Sequence, residues 1–271
     1  MLKEMGYQTG RIIGTPLFKK HFNLNIIGKE NIPDEGPLIL CGNHLHVFDQ
    51  FPVICSTKRT THWMAKKEYF DSKLGILFKA TGSICVDRKN NPKASEKEAI
   101  EYLKKGSAIG MFPEGTRNKI KDEKIEKLYN VYKDSMTFET FKKSIDKNTL
   151  TSQLELLEKL YEEKRISIEE YKKAIFDVKS SLLTLERKSI ISSDEYDNGM
   201  LLPFKYGAVS MAQKTNATIV PFAVTGSYVK NSKDLTVSFD KPFDVTGDLE
   251  ESNEKLRTKV LQLVKENQKS R

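Results

Sequence analysis

Leu38-Ile39-Leu40-Cys41-Gly42-Asn43-His44-Leu45-His46-Val47-Phe48-Asp49 is an apolar run followed by a segment that carries two histidines and an aspartate. The run 38–42 has the length and composition of a strand, and Asp49 stands where a helix would begin. His44 therefore sits where a strand meets a loop, which is where α/β folds place reactive groups. Four residues separate His44 from Asp49. A carboxylate at that distance can bond one imidazole nitrogen, fix the tautomer and leave the other nitrogen to take a proton. His46 is two residues from His44, so an extended segment would turn it the other way.

Further short apolar runs flank this one. Strands are predicted over 24–28, 38–42, 61–65, 84–87, 108–112, 218–225 and 235–239, and helices near 49–57, 71–80, 92–105, 205–215 and 250–268. Their alternation predicts an α/β fold: a mixed, mostly buried sheet flanked by helices. Residues 2–20 have an amphipathic pattern interrupted by Gly6, Gly10 and Gly14, whose spacing of four would let another surface approach closely.

Residues 119–198 break the rhythm. Lys, Glu, Leu and Tyr dominate there. Leu154, Leu157, Leu160 and Tyr161 form one stripe at helical spacing, and Tyr171, Ile175, Val178, Leu182 and Leu185 a second. Ser152-Gln153-Leu154-Glu155 and Ser167-Ile168-Glu169-Glu170 read as capping boxes. A helical hairpin over 150–185, preceded by a helix over 122–147, is the expectation. The domain plan is thus a discontinuous α/β domain, 1–118 with 199–271, carrying a helical insert at 119–198.

The 271 residues carry a net charge of +8, and 38% are hydrophobic. That is enough apolar content for a packed core. The insert is close to neutral, so the positive charge lies with the α/β part and favours anionic partners. Nucleic acid is not among them, since no aromatic residues interleave with a basic stripe. Cys41, Cys55 and Cys85 form no Cys-x-x-Cys pair, so neither a disulfide framework nor a metal site is suggested; buried, reduced thiols in the cytosol are expected. No secretory signal and no spanning apolar stretch is visible, which leaves a protein that lies on a membrane or stays off it.

Two arginines each follow a predicted strand. Arg88 closes Gly82-Ser83-Ile84-Cys85-Val86-Asp87-Arg88, and Arg117 closes Phe112-Pro113-Glu114-Gly115-Thr116-Arg117. Guanidinium groups bind phosphate bidentately and stay charged at any working pH. Glu114 could hold Arg117 or bind a substrate hydroxyl, and Gly115 would let backbone approach a ligand.

The order Asn-His-x4-Asp, Gly-x5-Arg, Phe-Pro-Glu-Gly-Thr-Arg and Val-Pro-Phe-Ala-Val-Thr-Gly resembles the glycerolipid acyltransferase family. The likeness covers about 20–118 and 199–245 and includes Leu202-Pro203-Phe204-Lys205-Tyr206-Gly207-Ala208. The resemblance implies a glycerol-3-phosphate acyltransferase-like fold, with His44 as base and Asp49 as its partner. Arg88, Glu114, Gly115, Thr116 and Arg117 would bind the acceptor phosphate, and Val220 and Pro221 would line the acyl or acceptor pocket. Asn43, His46 and Lys205 are further candidates. The implied reaction moves a fatty acyl group from acyl-CoA or acyl carrier protein to the hydroxyl of lysophosphatidate, with no metal and no cofactor. It would run at the cytoplasmic face of the membrane, on a peripheral protein. Glycerol-3-phosphate or another lysolipid is the alternative acceptor, and a non-catalytic membrane scaffold is the rival from another class. Two departures stand out: many relatives have serine at the position of His46, and most join the two middle motifs by a short loop. The stretch 150–185 resembles a short helical module of the SHOCT type.

Overall fold

The computed structural model describes residues 2–73, 75–91 and 93–269. Leu74 and Pro92, which fall inside two of the expected helices, lie outside the described residues. Contacts divide the chain into two units, Met1–Thr116 with Phe204–Arg271, and Arg117–Pro203.

In the first unit, β1 (Asn25–Ile27), β2 (Leu38–Gly42), β3 (Thr61–Lys66), β4 (Ile84–Val86), β5 (Ala108–Met111), β6 (Thr218–Thr225) and β7 (Thr236–Phe239) form one sheet. Its order among the described residues is β1-β7-β6-β2-β5-β3-β4. β2 and β6 span the expected 38–42 and 218–225, β1 is one residue shorter than expected at each end, and the other strands differ by one residue at one end. Only β6 and β7 pair antiparallel, with Phe222 opposite Phe239; the other pairs run parallel, with Leu40 opposite Gly110 and Val220. This is the mixed sheet the sequence predicts. The central strands are buried throughout or nearly so, because continuous apolar runs suit strands covered on both faces. Leu38, Leu40, Val53, Trp63, Val220, Phe222, Val237 and Phe239 belong to one hydrophobic core cluster. Gly110 leaves the space that the Trp63 ring fills: a Cβ there would lie 2.6 Å from its Cδ2.

Helices α1 (Leu2–Phe22), α2 (Gln50–Ile54), α3 (Lys67–Asp71), α4 (Gly75–Ala80) and α5 (Ala94–Lys104) belong to the first unit. α1 extends two residues past the expected 20. Among the described residues, only Gly6 of its three glycines meets a close neighbour, where a Cβ would come 2.8 Å from the Ala80 oxygen; nothing described lies within 4 Å of a Cβ at Gly10 or Gly14. Two short helices replace the single one expected over 71–80. The Gly75 N–H bonds the Ser72 carbonyl, and its Cα lies so close to the Phe70 carbonyl that a side chain would not fit.

The second unit contains α6 (Asp122–Tyr129), α7 (Phe138–Ser144), α8 (Thr151–Glu162), α9 (Ile168–Ala174), α10 (Val178–Arg187) and α11 (Ser193–Asn198). The helix expected over 122–147 is broken in two. The break folds Phe141 back onto Tyr132 and Tyr129, with ring centroids 4.8 and 5.7 Å apart, an aromatic cluster one straight helix could not close. Both apolar stripes are buried except Tyr161. The Ser167–Glu170 capping box is present. Ser152, by contrast, caps nothing: α8 starts one residue earlier, and the Ser152 hydroxyl is buried, donating to the Gly199 carbonyl (2.6 Å) and accepting from Asn118 Nδ2 (2.8 Å). A box at Ser192 and Glu195 opens α11, a helix the periodicity did not suggest. The first unit resumes with α12 (Gly207–Thr215) and α13 (Leu249–Lys269).

β2, β4, β5 and β6 all run in one direction, so their carboxyl ends share one edge of the sheet. His44 follows β2, Arg88 follows β4, Glu114 and Gly115 follow β5, and Tyr228 follows β6. One edge thereby collects residues that are far apart in sequence.

Candidate active site

The segment after β2 is a turn, not an extended strand end. Asp49 N–H bonds the His46 carbonyl (3.2 Å) and folds the loop back on itself. The Asp49 side chain sits at the centre of this turn, 1% exposed. Its Oδ2 accepts from the backbone N–H groups of Leu45 (2.6 Å) and His46 (2.7 Å) and lies 3.0 Å from His44 Nδ1. Because an ionised carboxylate only accepts, Nδ1 carries the proton and Nε2 is left to act as base. The His44 side chain remains 20% exposed, so the imidazole is not sealed in the core.

The imidazole plane is held from the side. Phe112 stacks on it at 4.1 Å and 11°, and Trp63 stacks behind Phe112 at 5.3 Å. Glu114 is buried, and its Oε1 accepts from the His44 backbone N–H (2.7 Å). That anchoring of the loop is a role the sequence did not suggest for Glu114. Asn43 is also structural: its side chain takes the Val224 N–H (2.8 Å) and gives to the Val224 carbonyl (2.9 Å), tying the end of β2 to β6. His46 faces Tyr228, ring on ring at 4.4 Å, and accepts from Phe48 N–H.

Gly115 has φ +70°, the left-handed region that glycine enters without strain. Arg88 Nη2 donates to its carbonyl (2.9 Å). A Cβ on Gly115 would lie 2.9 Å from Lys205 Nζ and 3.3 Å from Arg88 Nη2, so two cationic side chains converge on this turn. Lys205 is held there by its own backbone N–H, which donates to the Pro113 carbonyl (3.0 Å). Both cations are exposed and can meet an anion. Thr116 is half-buried at the end of the first unit, and Arg117 is exposed at the start of the second. Val220 and Pro221 are buried within β6, Val220 in the hydrophobic core cluster.

Sequence reasoning missed two contributors, Phe112 as the ring beneath His44 and Tyr228. The Tyr228 hydroxyl donates to Asp49 Oδ1 (2.8 Å). Burial, with the Asp49 carboxylate beside it, pushes this phenol far above the ordinary tyrosine range. No local pattern marks Tyr228; the only cue is its place just beyond the last motif. Burial also raises the thiols of Cys41 and Cys55, and Cys85, expected to be buried, is partly exposed. Among the described residues no group of three or more His, Cys, Asp or Glu side chains could hold a metal ion.

A base oriented by a carboxylate, beside two cations on a glycine turn, is equipped to activate a hydroxyl on an anionic molecule. The model of the acyltransferase family matches residues 23–225, more than half of the chain, and the protein belongs to that family. Among curated relatives, a 1-acyl-sn-glycerol-3-phosphate acyltransferase of Bacillus subtilis (strain 168) is 33% identical over 96 residues, 35% of this chain and 48% of the relative. One of the same name from Borreliella burgdorferi is 32% identical over 105 residues, 38% of this chain and 42% of the relative. The aligned stretches thus span less than half of each relative's length. The crystal structure of the 1-acyl-sn-glycerophosphate (LPA) acyltransferase from Thermotoga maritima shares the fold, with a TM-score of 0.56 at 17% identity, covering 99% of this chain and 80% of that one.

Proposed function

We propose that this protein moves a fatty acyl group from a thioester, acyl-CoA or acyl carrier protein, to the free hydroxyl of lysophosphatidate, making phosphatidate for phospholipid synthesis. The contact between His44 Nδ1 and Asp49 Oδ2 at 3.0 Å carries the reading. It leaves Nε2 as the base that takes the hydroxyl proton. The alkoxide attacks the thioester carbonyl, a tetrahedral oxyanion forms, and the thiol departs with the proton returned by His44. Arg88 and Lys205 bind the acceptor phosphate at the Gly115 turn. The names of the curated relatives support the acceptor. No step calls on a metal or a further cofactor. Glycerol-3-phosphate or another lysolipid, which carries the same phosphate and hydroxyl pair, is the alternative acceptor.

The reaction is proposed to run on the cytoplasmic face of a membrane. Among the described residues no helix is long and apolar enough to cross one. Met5, Ile12, Ile13 and Leu17 of α1 are nonetheless exposed, and Lys19 and Lys20 follow them. Apolar residues with flanking lysines suit an anionic lipid surface.

The test is thiol release from acyl-CoA in the presence of lysophosphatidate, with the native chain beside His44→Ala. Release that requires both acceptor and His44 supports the reading. If folded native protein releases no thiol with either donor and any phosphate-bearing lysolipid, the reading is wrong and the non-catalytic scaffold takes its place.

A further inference from the structure

We propose that Tyr228 is a positioning residue for the base, acting on His44 through Asp49. The inference rests on His44 being the base of the proposed reaction, and the hydrogen-bond geometry carries it further.

Asp49 has two carboxylate oxygens with different duties. Oδ2 gathers the Leu45 and His46 N–H groups and His44 Nδ1. Those three donors hold one oxygen but leave the carboxylate plane free to swing about the Cγ–Oδ2 direction. Oδ1 is held by the Tyr228 hydroxyl at 2.8 Å. With both oxygens fixed, the plane is fixed, and so is the lone pair that faces His44.

The phenol is itself held in place. Its ring stacks on His46 at 4.4 Å and meets Phe22 edge-on at 5.7 Å and Phe48 at 5.9 Å. Phe22 closes α1, so packing from a helix at the start of the chain sets where the hydroxyl points. Tyr228 follows Gly226, whose φ of +99° turns the chain off the end of β6 toward the His44 loop. Asp49 and Tyr228 are 179 positions apart, yet both lie at carboxyl ends of adjacent parallel strands. Among the described residues the hydroxyl bonds Asp49 alone, so removal of one oxygen atom isolates this interaction.

Tyr228→Phe keeps the ring and its packing. The expected result is a fall in kcat of about tenfold, with KM for donor and acceptor within about twofold of native. In an Asp49→Asn background the same change should lower kcat by less than about twofold, because the two residues act as one unit. A similar tenfold loss in both backgrounds, or a loss expressed in KM alone, would overturn the proposal. A second reading needs no turnover: amide hydrogen exchange at Leu45 and His46 should quicken by about threefold or more in Tyr228→Phe, while exchange in β2 and β6 stays at its native rate. Unchanged exchange in the turn overturns the positioning role. Should the native protein transfer no acyl group, the proposed reaction fails, and the exchange comparison still decides whether Tyr228 orders the Asp49 turn.

Discussion

Replacing Asp49 by asparagine keeps its shape and removes its charge. Four donors converge on the two carboxylate oxygens: two backbone N–H groups, His44 Nδ1 and the Tyr228 hydroxyl. Asparagine has one oxygen, which must face the backbone pair, because an amide NH2 there would meet two donors. Its NH2 then faces Tyr228, whose hydroxyl can rotate to accept. The turn therefore survives. A hydrogen bond to a charged group contributes about 1.5–3 kcal/mol and a neutral one about 0.5–1.5 kcal/mol. The weakening of four bonds is offset by relief of the cost of burying a carboxylate. A net loss of about 1–2 kcal/mol follows, or a melting temperature lower by about 2–8 °C. The catalytic loss is larger. A neutral amide does not stabilise the imidazolium that forms on His44, and kcat should drop by about 10²–10⁴ with KM little changed. Thiol release at saturating substrates, paired with calorimetry on the same sample, measures both. A folded Asp49→Asn protein with kcat within about threefold of native would remove Asp49 from the mechanism.

Arg88→Ala should raise the acceptor KM by about tenfold and leave the donor KM unchanged, since guanidinium and phosphate pair directly; an equal rise for the donor would assign the cation to the thioester partner. Gly115→Ala should show the same split together with about 1 kcal/mol of lost stability, because alanine is strained at φ +70°; unaltered acceptor KM and melting temperature would refute the cation turn. Gly110→Ala places a methyl 2.6 Å from the Trp63 ring and should destabilise the first unit by about 1–3 kcal/mol in denaturant melts. In the second unit, the Arg165 guanidinium, helped by the Ser192 N–H, holds the Glu195 carboxyl down at about 2. Its folded value lies below the unfolded one, so the pair stabilises the unit above about pH 4.3 and the contribution fades as pH falls toward 2; Arg165→Ala should flatten the stability profile in that window, and an unchanged profile would mean the pair contributes nothing.

The central strands β2 and β6 were legible in the sequence because each is a local apolar run, which burial on both faces demands wherever the strand sits. The His44–Asp49 pair was legible because the two are near neighbours in sequence, whereas the turn that closes the Leu45 and His46 N–H groups onto the same carboxylate was seen only in the structure. Periodicity likewise located the hairpin of the second unit and the Ser167 cap. It failed where distant groups compete for a local one. Ser152 looked like a cap, but Asn118 and Gly199 claim its hydroxyl across the second unit. The single helix expected over 122–147 gave way to an aromatic cluster that includes Phe176. The finer structure of the site was decided in the same way. Glu114 holds the His44 backbone from 70 positions away, Asn43 ties β2 to Val224, Gly115 gathers Arg88 and Lys205, and Tyr228 completes Asp49. None of these pairings has a local signature, because they exist only once parallel strands bring their carboxyl ends to one edge. The sequence named the His44–Asp49 pair, and the packing of the sheet chose which side chains orient it.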